Sequence, residues 1–257
     1  MATKPKPINA AMKKALRKAA THLAIKAPGL TAESKAYEVW LAFEAALALH
    51  NAGAIVQPRN HHDSATNIFY VRGGPGNIPY IHLAASDAPC HFLIVWKGGQ
   101  LELHISLNHQ PILRNNRHEL DVSIVQRAFA HAARHDPKTR PYGGPRFIGV
   151  ELKAYQAEKT LDKNIARSLI GLALDLDPGA VAPTVEFKTR SGDILVSGAF
   201  RSPQYFLLTT AQLRPSSERL LATYGIKHGA EIHPNSPAAQ IAINDIVAAV
   251  ETRLETT

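Results

Sequence analysis

The segment GGPRFIGVELKAYQ, residues 143–156, constrains the fold more than any other part of this chain. Its stretch 147–155 alternates with a period of two, which is the side-chain period of a β-strand. Four apolar residues share one face of that strand: Ile148, Val150, Leu152 and Ala154. The other face carries Glu151 and Lys153. The segment therefore predicts a strand that buries one face and presents two opposite charges on the other.

The two charged side chains of this strand need an explanation. Glu151 and Lys153 are separated by two positions, so they point the same way about 7 Å apart. An uncompensated buried charge costs several kcal/mol, so the site must be open to solvent, paired or occupied by an ion. A plain surface ion pair at a strand edge is one explanation of the triplet Glu-x-Lys.

A second acidic strand favours an ion. The segment HELDVSIVQ, residues 118–126, places Asp121 at the start of an alternating apolar run. Two adjacent strands that each direct a carboxylate to one place repel each other unless a cation lies between them, and Mg²⁺ prefers such oxygen ligands. The pattern predicts a metal site made by Asp121 and Glu151, with the Lys153 ammonium group beside it.

These elements resemble the PD-(D/E)xK nucleases, a superfamily with the restriction-endonuclease-like fold. The resemblance spans residues 32–226 and has four matching segments: ELDVSIV, GVELKAYQ, the following helix NIARSLIGLALDL and the strand DILVSGAF. Its specific part is the set Asp121, Glu151 and Lys153. Leu120 stands where many members have a proline before the aspartate.

The resemblance implies Mg²⁺-dependent hydrolysis of phosphodiester bonds, most often in DNA, with Mn²⁺ able to replace Mg²⁺. Asp121 and Glu151 would hold the ion together with the main-chain carbonyl of Leu152. Lys153 would orient or help deprotonate the attacking water and support the charge that develops at phosphorus. Gln156 continues an E-x-K-x-x-Q pattern found in some relatives, where it would brace the site or contact substrate; it is equally an ordinary strand-end glutamine.

Relatives commonly add a carboxylate from the helix that precedes the sheet. The segment AYEVWLAFEAALAL offers Glu38 and Glu44. Glu38 is the better candidate because it lies near the start of the helix, whereas Glu44 lies between Trp40 and Leu47. A solvated helix glutamate remains the alternative for Glu38.

The hydrophobic pattern predicts an α/β protein. Helices are expected at 32–51, 161–176, 214–224 and 237–255, and strands at 67–72, 80–84, 92–96, 101–107, 120–125 and 193–199. Residues 60–67 are expected to form a polar turn. Helices and strands alternate in the second half, which favours a mixed sheet flanked by helices, as in the restriction-endonuclease-like fold. We expect one nuclease domain, residues 31–257, after a basic N-terminal helical extension, residues 1–30.

The charge of the chain makes a polyanion the first partner to consider. The formal net charge is +8, from 29 basic and 21 acidic residues, although solubility alone could account for it. Two groups of basic residues are candidates for phosphate contact: Lys13, Lys14, Arg17 and Lys18 near the N-terminus, and Lys159, Lys163 and Arg167 after the Glu151 strand.

Together with the resemblance, these observations predict a cytoplasmic DNA endonuclease that serves bacterial defence, restriction or repair. No apolar run is long enough to cross a membrane, the N-terminus lacks the apolar region of a signal peptide, and the single cysteine, Cys90, suits a reducing compartment. A homodimer or a partner protein would direct targeting. Two alternatives stay open: a nuclease directed at RNA or at particular structures, and a non-catalytic nucleic-acid-binding or protein-interaction module that keeps the fold.

Overall fold

The computed structural model describes most of the chain. The described residues are 8–30, 32–111, 117–136, 141–155, 159–179 and 204–256, together with the backbone of 185–188 and 194–197. Gln156 lies outside them.

Two helices that pack on each other begin the fold. The helix α1 (Ala10–His22) starts at Asn9, whose side chain accepts a hydrogen bond of 2.8 Å from the main-chain N–H of Met12. This cap satisfies one of the free N–H groups at a helix start. The helix α2 (Glu33–Asn51) follows, and α1 packs on it. The buried face of α1 consists of Met12, Ala15, Leu16 and Ala19. The basic N-terminal segment therefore includes a helix that is docked on the core.

The rest of the chain builds three sheets and four helices in the described part. The elements are β1 (Ile55–Arg59), β2 (His91–Trp96), β3 (Gly99–His109), β4 (His118–Gln126), α3 (Arg127–His135), β5 (Arg146–Lys153), β6 (Thr160–Leu161), α4 (Lys163–Leu176), β7 (Val185–Lys188), β8 (Ile194–Ser197), β9 (Tyr205–Thr209), β10 (Gln212–Leu213), α5 (Pro215–Thr223), β11 (Lys227–Gly229) and α6 (Pro237–Glu255).

The main sheet has seven strands in the order β1-β2-β3-β4-β5-β9-β11. The strands from β1 to β5 pair antiparallel, and β5, β9 and β11 pair parallel. The prediction of an α/β protein with a mixed sheet flanked by helices is confirmed at this level.

Helices cover both faces of the sheet. On one face α2 and α6 pack against β5 and against each other, and on the opposite face lie α3, α4 and α5. The strand β9 illustrates the division, because Phe206 and Leu208 join the α2 core while Tyr205 and Leu207 join the α4 core. The helix α2 is buried nearly all round, since α1, α6 and the sheet surround it.

The helix predictions agree closely with the structure, but two predicted strands are wrong. Residues 67–72 and 80–84 form loops, and the first of them contains one isolated bridge, between Ile68 and Lys26. The apolar pattern at 67–72 has a different origin. The side chain of Phe69 is buried in the α2 core, and its main-chain N–H donates to the carbonyl of Lys26 in another loop. Apolar side chains that anchor a loop produce the same short pattern as a strand.

The parallel part of the sheet also differs from the prediction. The segment DILVSGAF was expected to supply the sheet strand after α4, yet its strand β8 pairs antiparallel with β7 in a separate two-stranded sheet. The strand that lies parallel to β5 is β9, with the sequence YFLLT, which was not predicted. The edge strand β1 was missed as well, because Pro58 interrupts its pattern.

In the described part of the chain, every helix is too short or too polar to cross a lipid bilayer.

Candidate active site

An irregularity between β3 and β4 opens the sheet at Asp121. Ser106 has a positive φ of 52°, a left-handed conformation that is uncommon for a non-glycine residue. Regular pairing holds on both sides, between Ile105 and Val122 and between Leu107 and Leu120. At Ser106 the partner is a loop residue instead of β4, because the N–H of Gly76 donates to the Ser106 carbonyl at 3.2 Å. Asp121 is thereby left at a local break in the ladder.

Main-chain contact fixes the Asp121 carboxylate beside β5. Its Oδ2 atom accepts a hydrogen bond of 2.6 Å from the main-chain N–H of Leu152. The residues on either side of Leu152 are Glu151 and Lys153, whose side chains form an ion pair and are 20% and 30% exposed. The structure thus brings together the three residues that carry the resemblance, partly open to solvent.

The helix α2 adds a third carboxylate. Glu38 Oε2 accepts a hydrogen bond of 2.8 Å from the Ser106 hydroxyl and pairs with the ammonium group of Lys35. The Asp121 carboxylate acts on Glu38 electrostatically. Glu44, the other candidate on α2, lies instead beside Trp40 and near Lys18 of α1. Glu38, and not Glu44, therefore lies beside the strand that carries Asp121.

Glu119 is a fourth carboxylate, which the sequence reasoning missed. It precedes Asp121 by two positions on β4, so the alternation of HELDVS gave a usable signal. Burial and then the Asp121 carboxylate raise its pKa. We refer to Glu38, Glu119, Asp121 and Glu151 as the acidic cluster.

The pKa of every carboxyl group in the acidic cluster is raised. Burial is the first cause for each of the four, and the Asp121 carboxylate adds to it for the other three. The pKa of Glu151 is raised to about 7. Burial opposes the charged form of Lys153, but Glu151 and Asp121 outweigh it and raise the Lys153 pKa. The cluster is therefore short of positive charge, because among the described residues only Lys35 and Lys153 form ion pairs with its four acids.

A second acidic group lies elsewhere, and one member belongs to the segment expected to be a polar turn. Oxygen and nitrogen atoms of Asp63, His91 and Glu102 lie within 4.8 Å of one another, a geometry that suits a metal ion. Arg134, however, donates to both Glu102 oxygens at 3.1 and 2.7 Å, and both side chains are fully buried. Arg127 pairs with Asp63 at 2.7 Å. A cation would have to displace these guanidinium groups.

The two predicted phosphate-binding groups are accessible. Lys13, Lys14, Arg17 and Lys18 are all exposed on α1. In the second group, Lys159 and Arg167 are exposed and Lys163 is half-buried. This second group lies at the sheet end that carries Lys153, since Thr210 N–H donates to the Lys153 carbonyl and Gln212 N–H to the Lys159 carbonyl.

No protein family matches the chain, and neither a curated protein nor a solved structure matches it. The class of protein is therefore defined by the fold and the site alone. It is an α/β protein whose mixed seven-stranded sheet opens at an acidic cluster with paired lysines.

Proposed function

We propose that the protein is a Mg²⁺-dependent nuclease that hydrolyses phosphodiester bonds in DNA. The observation that carries the proposal is the convergence of Asp121, Glu151 and Glu38 with Lys153 at one partly open place. Three separate elements supply these residues, namely α2, β4 and β5. An ion pair on a strand edge would require only Glu151 and Lys153.

The donor set fits Mg²⁺. Asp121 and Glu151 would hold the ion with the Leu152 carbonyl, and Glu38 or Glu119 would support it from the other side. All are hard oxygen donors. Burial raises the pKa of all four carboxyls, and the Asp121 carboxylate raises it further for the other three, so a divalent cation would stabilise their charged forms. When bound, the ion would polarise a phosphate oxygen and lower the pKa of a water ligand; Mn²⁺ could supply the same chemistry.

The protein's own residues would position the reaction. Lys153 keeps its proton, because its pKa is raised despite burial, so its ammonium group would orient the attacking water and stabilise charge at phosphorus. The water would lose a proton to solvent as its oxygen bonds to phosphorus, and the leaving ester oxygen would take up a proton from solvent as its bond to phosphorus breaks. Lys35 and Ser106 hold Glu38 in place.

A nucleic acid is the favoured substrate because the chain is strongly positive and two groups of its basic residues are accessible. The choice of DNA follows the resemblance to the PD-(D/E)xK nucleases. We place the protein in the bacterial cytoplasm, in restriction, repair or defence, with a homodimer or a partner protein directing it to its target. The rival is a non-catalytic nucleic-acid-binding or protein-interaction module. The ion pairs Lys153–Glu151 and Lys35–Glu38 support that rival, because they partly neutralise the cluster without metal.

A cleavage panel tests the function. The purified protein is incubated with plasmid, linear duplex, single-stranded DNA and RNA, each with Mg²⁺, Mn²⁺ or EDTA. We expect DNA fragments with either metal and none with EDTA. Binding without cleavage under every condition would favour the non-catalytic module, and cleavage of RNA alone would change the substrate class.

Metal binding should be measurable without any substrate. Because the carboxyls of the acidic cluster repel one another, Mg²⁺ or Mn²⁺ should stabilise the fold by about 2.7 kcal/mol at a hundred times its Kd. The measurement is the melting temperature with and without metal. Asp121→Asn should lose most of the gain, and Glu44→Gln, on the same helix as Glu38, should keep it. A melting temperature of the parent protein that does not respond to saturating metal would contradict a preformed site.

The basic face of α1 should contribute to DNA affinity. Each neutralised phosphate releases counterions, so the log-log slope of affinity against salt should flatten by about 0.9 for each phosphate that is no longer neutralised. Changing Lys13, Lys14, Arg17 and Lys18 to glutamine removes that charge and leaves the buried face of α1 intact. The measurement is a salt titration on one duplex.

The matched control changes three exposed basic residues of α5 and its neighbours, Arg214, Arg219 and Lys227, to glutamine. An equal slope change per charge in both variants would show that α1 has no particular role. Cleavage at saturating DNA should survive in both, because none of these residues belongs to the acidic cluster.

A further inference from the structure

A cavity of about 330 Å³ adjoins the acidic cluster. It lies between the connection from α1 to α2, the first turn of α2 and the loop that follows Phe69. The lining residues that matter here are Gly29, Lys35, Tyr70, Arg72, Gly73 and Asp87. Its volume is in the range of a site for a small ligand. It is too small to hold a DNA duplex, in which the major groove alone is about 12 Å wide.

Two cationic walls link the cavity to the acidic cluster. Lys35 pairs with Glu38 and also donates to Ser106. On the other wall, burial lowers the pKa of Arg72 to about 10, while the nearby Glu119 carboxylate opposes that shift. The guanidinium group of Arg72 donates to the Asn77 carbonyl through Nη2, while its buried Nε atom has no hydrogen-bond partner among the described residues. The cavity therefore opens beside the proposed metal ligands.

The remaining walls offer what a nucleoside needs. Tyr70 is a half-buried aromatic wall, and Asp87 is an exposed carboxylate. Aromatic rings stack on bases regardless of sequence, and a carboxylate accepts hydrogen bonds from base N–H groups. Phosphate would lie towards Lys35 and Arg72, away from the negative charge of Asp87.

We propose that this cavity binds one unpaired nucleotide of the strand that is cut, next to the scissile phosphate. This inference rests on the proposed nuclease function and narrows its substrate class. A nucleotide that enters the cavity must leave its stack, which costs least in single strands, gaps and frayed ends. The protein should therefore prefer DNA with unpaired nucleotides at the cleavage site over intact duplex.

Two neighbouring glycines provide a matched pair of variants. Gly73 lines the cavity, and a Cβ added at this position would meet no atom within 4 Å, so Gly73→Leu adds an apolar side chain at the cavity wall without a clash at its Cβ. Gly74 also has open space around it but does not line the cavity, so Gly74→Leu is the control. Asp87→Leu, at an exposed position, is a second way to change the cavity without disturbing the core.

The test combines binding and cleavage on oligonucleotides of one sequence, prepared as a single strand, a gapped duplex and a blunt duplex. Binding is measured with EDTA by fluorescence anisotropy, and cleavage with Mg²⁺. The parent protein should bind the single strand and the gapped duplex at least about tenfold more tightly than the blunt duplex, as expected for one stacked base. Gly73→Leu and Asp87→Leu should lose this preference, and Gly74→Leu should keep it. Melting temperatures confirm that each variant is folded.

The outcomes separate this inference from the proposed function. Equal affinity of the parent for all three substrates, or an unchanged preference in both cavity variants, would overturn the nucleotide cavity even if cleavage occurs. A preference that the cavity variants lose, without any cleavage, would support the cavity and overturn the nuclease. Absence of both binding and cleavage would overturn the two proposals together.

Discussion

Replacing Asp121 with asparagine is expected to lower the rate of DNA cleavage by at least about a hundredfold. The same loss is expected for Glu151→Gln, and for Lys153→Met a loss of about 10²–10³-fold, the range found when one stabilising group is removed from a reacting centre. Asparagine and glutamine keep the shape of the side chain and remove the charge that a metal ion requires. The measurement is the initial cleavage rate at saturating DNA and Mg²⁺.

The two glutamates of α2 make this prediction specific. Glu38→Gln should reduce cleavage because Glu38 lies beside Ser106 and Asp121. Glu44→Gln should leave cleavage unchanged, because Glu44 lies on the α1 side near Lys18. Parental rates in all of Asp121→Asn, Glu151→Gln and Lys153→Met would show that the acidic cluster is not an active site. Equal losses in Glu38→Gln and Glu44→Gln would indicate a general effect on α2.

The candidate residues Asp121, Glu151 and Lys153 were predictable because each lies in a strand whose alternation is visible in the sequence. The period of a strand places Glu151 and Lys153 on one face, and their ion pair agrees with that placement. Asp121 was predicted from a second alternating strand. That strand does pair with β5, and Asp121 contacts Leu152 across the pair. The rest could not be predicted in this way. Ser106 enters the site through its positive φ and a loop hydrogen bond from Gly76, and Lys35 enters it from the first turn of α2, where it pairs with Glu38.

The prediction of the fold succeeded where elements are long and failed where they are short. The helix α2 has nineteen residues, so its pattern repeats several times. The strand β9 has only five, all buried, and a short apolar run does not distinguish a central strand from other buried chain. The prediction of a strand at residues 67–72 was wrong because the apolar pattern there comes from Phe69, a buried residue that anchors a loop. Tertiary contact decided both cases.

The Glu102 site gives the second large expected effect, on stability. Replacing Arg134 with methionine should destabilise the protein by about 3–5 kcal/mol, because it leaves a fully buried carboxylate without its main partner. Burial alone would raise the pKa of Glu102, yet the neighbouring histidines and Arg134 hold it well below its usual range. For a chain of this size the loss corresponds to a fall in melting temperature of about 10 °C.

A double variant and added metal distinguish a structural ion pair at Glu102 from a metal site. Changing Glu102 to leucine together with Arg134→Met removes both charges and should recover much of the stability, because the cost comes from the unpaired carboxylate. If Asp63, His91 and Glu102 instead form a metal site, Arg134→Met would free the Glu102 oxygens, and Zn²⁺ or Mg²⁺ would restore the melting temperature of the single variant. We expect no such rescue, because Arg127 still occupies Asp63. Rescue by metal would move the metal centre from the acidic cluster to this group, and an unchanged melting temperature in Arg134→Met would show that the ion pair contributes little.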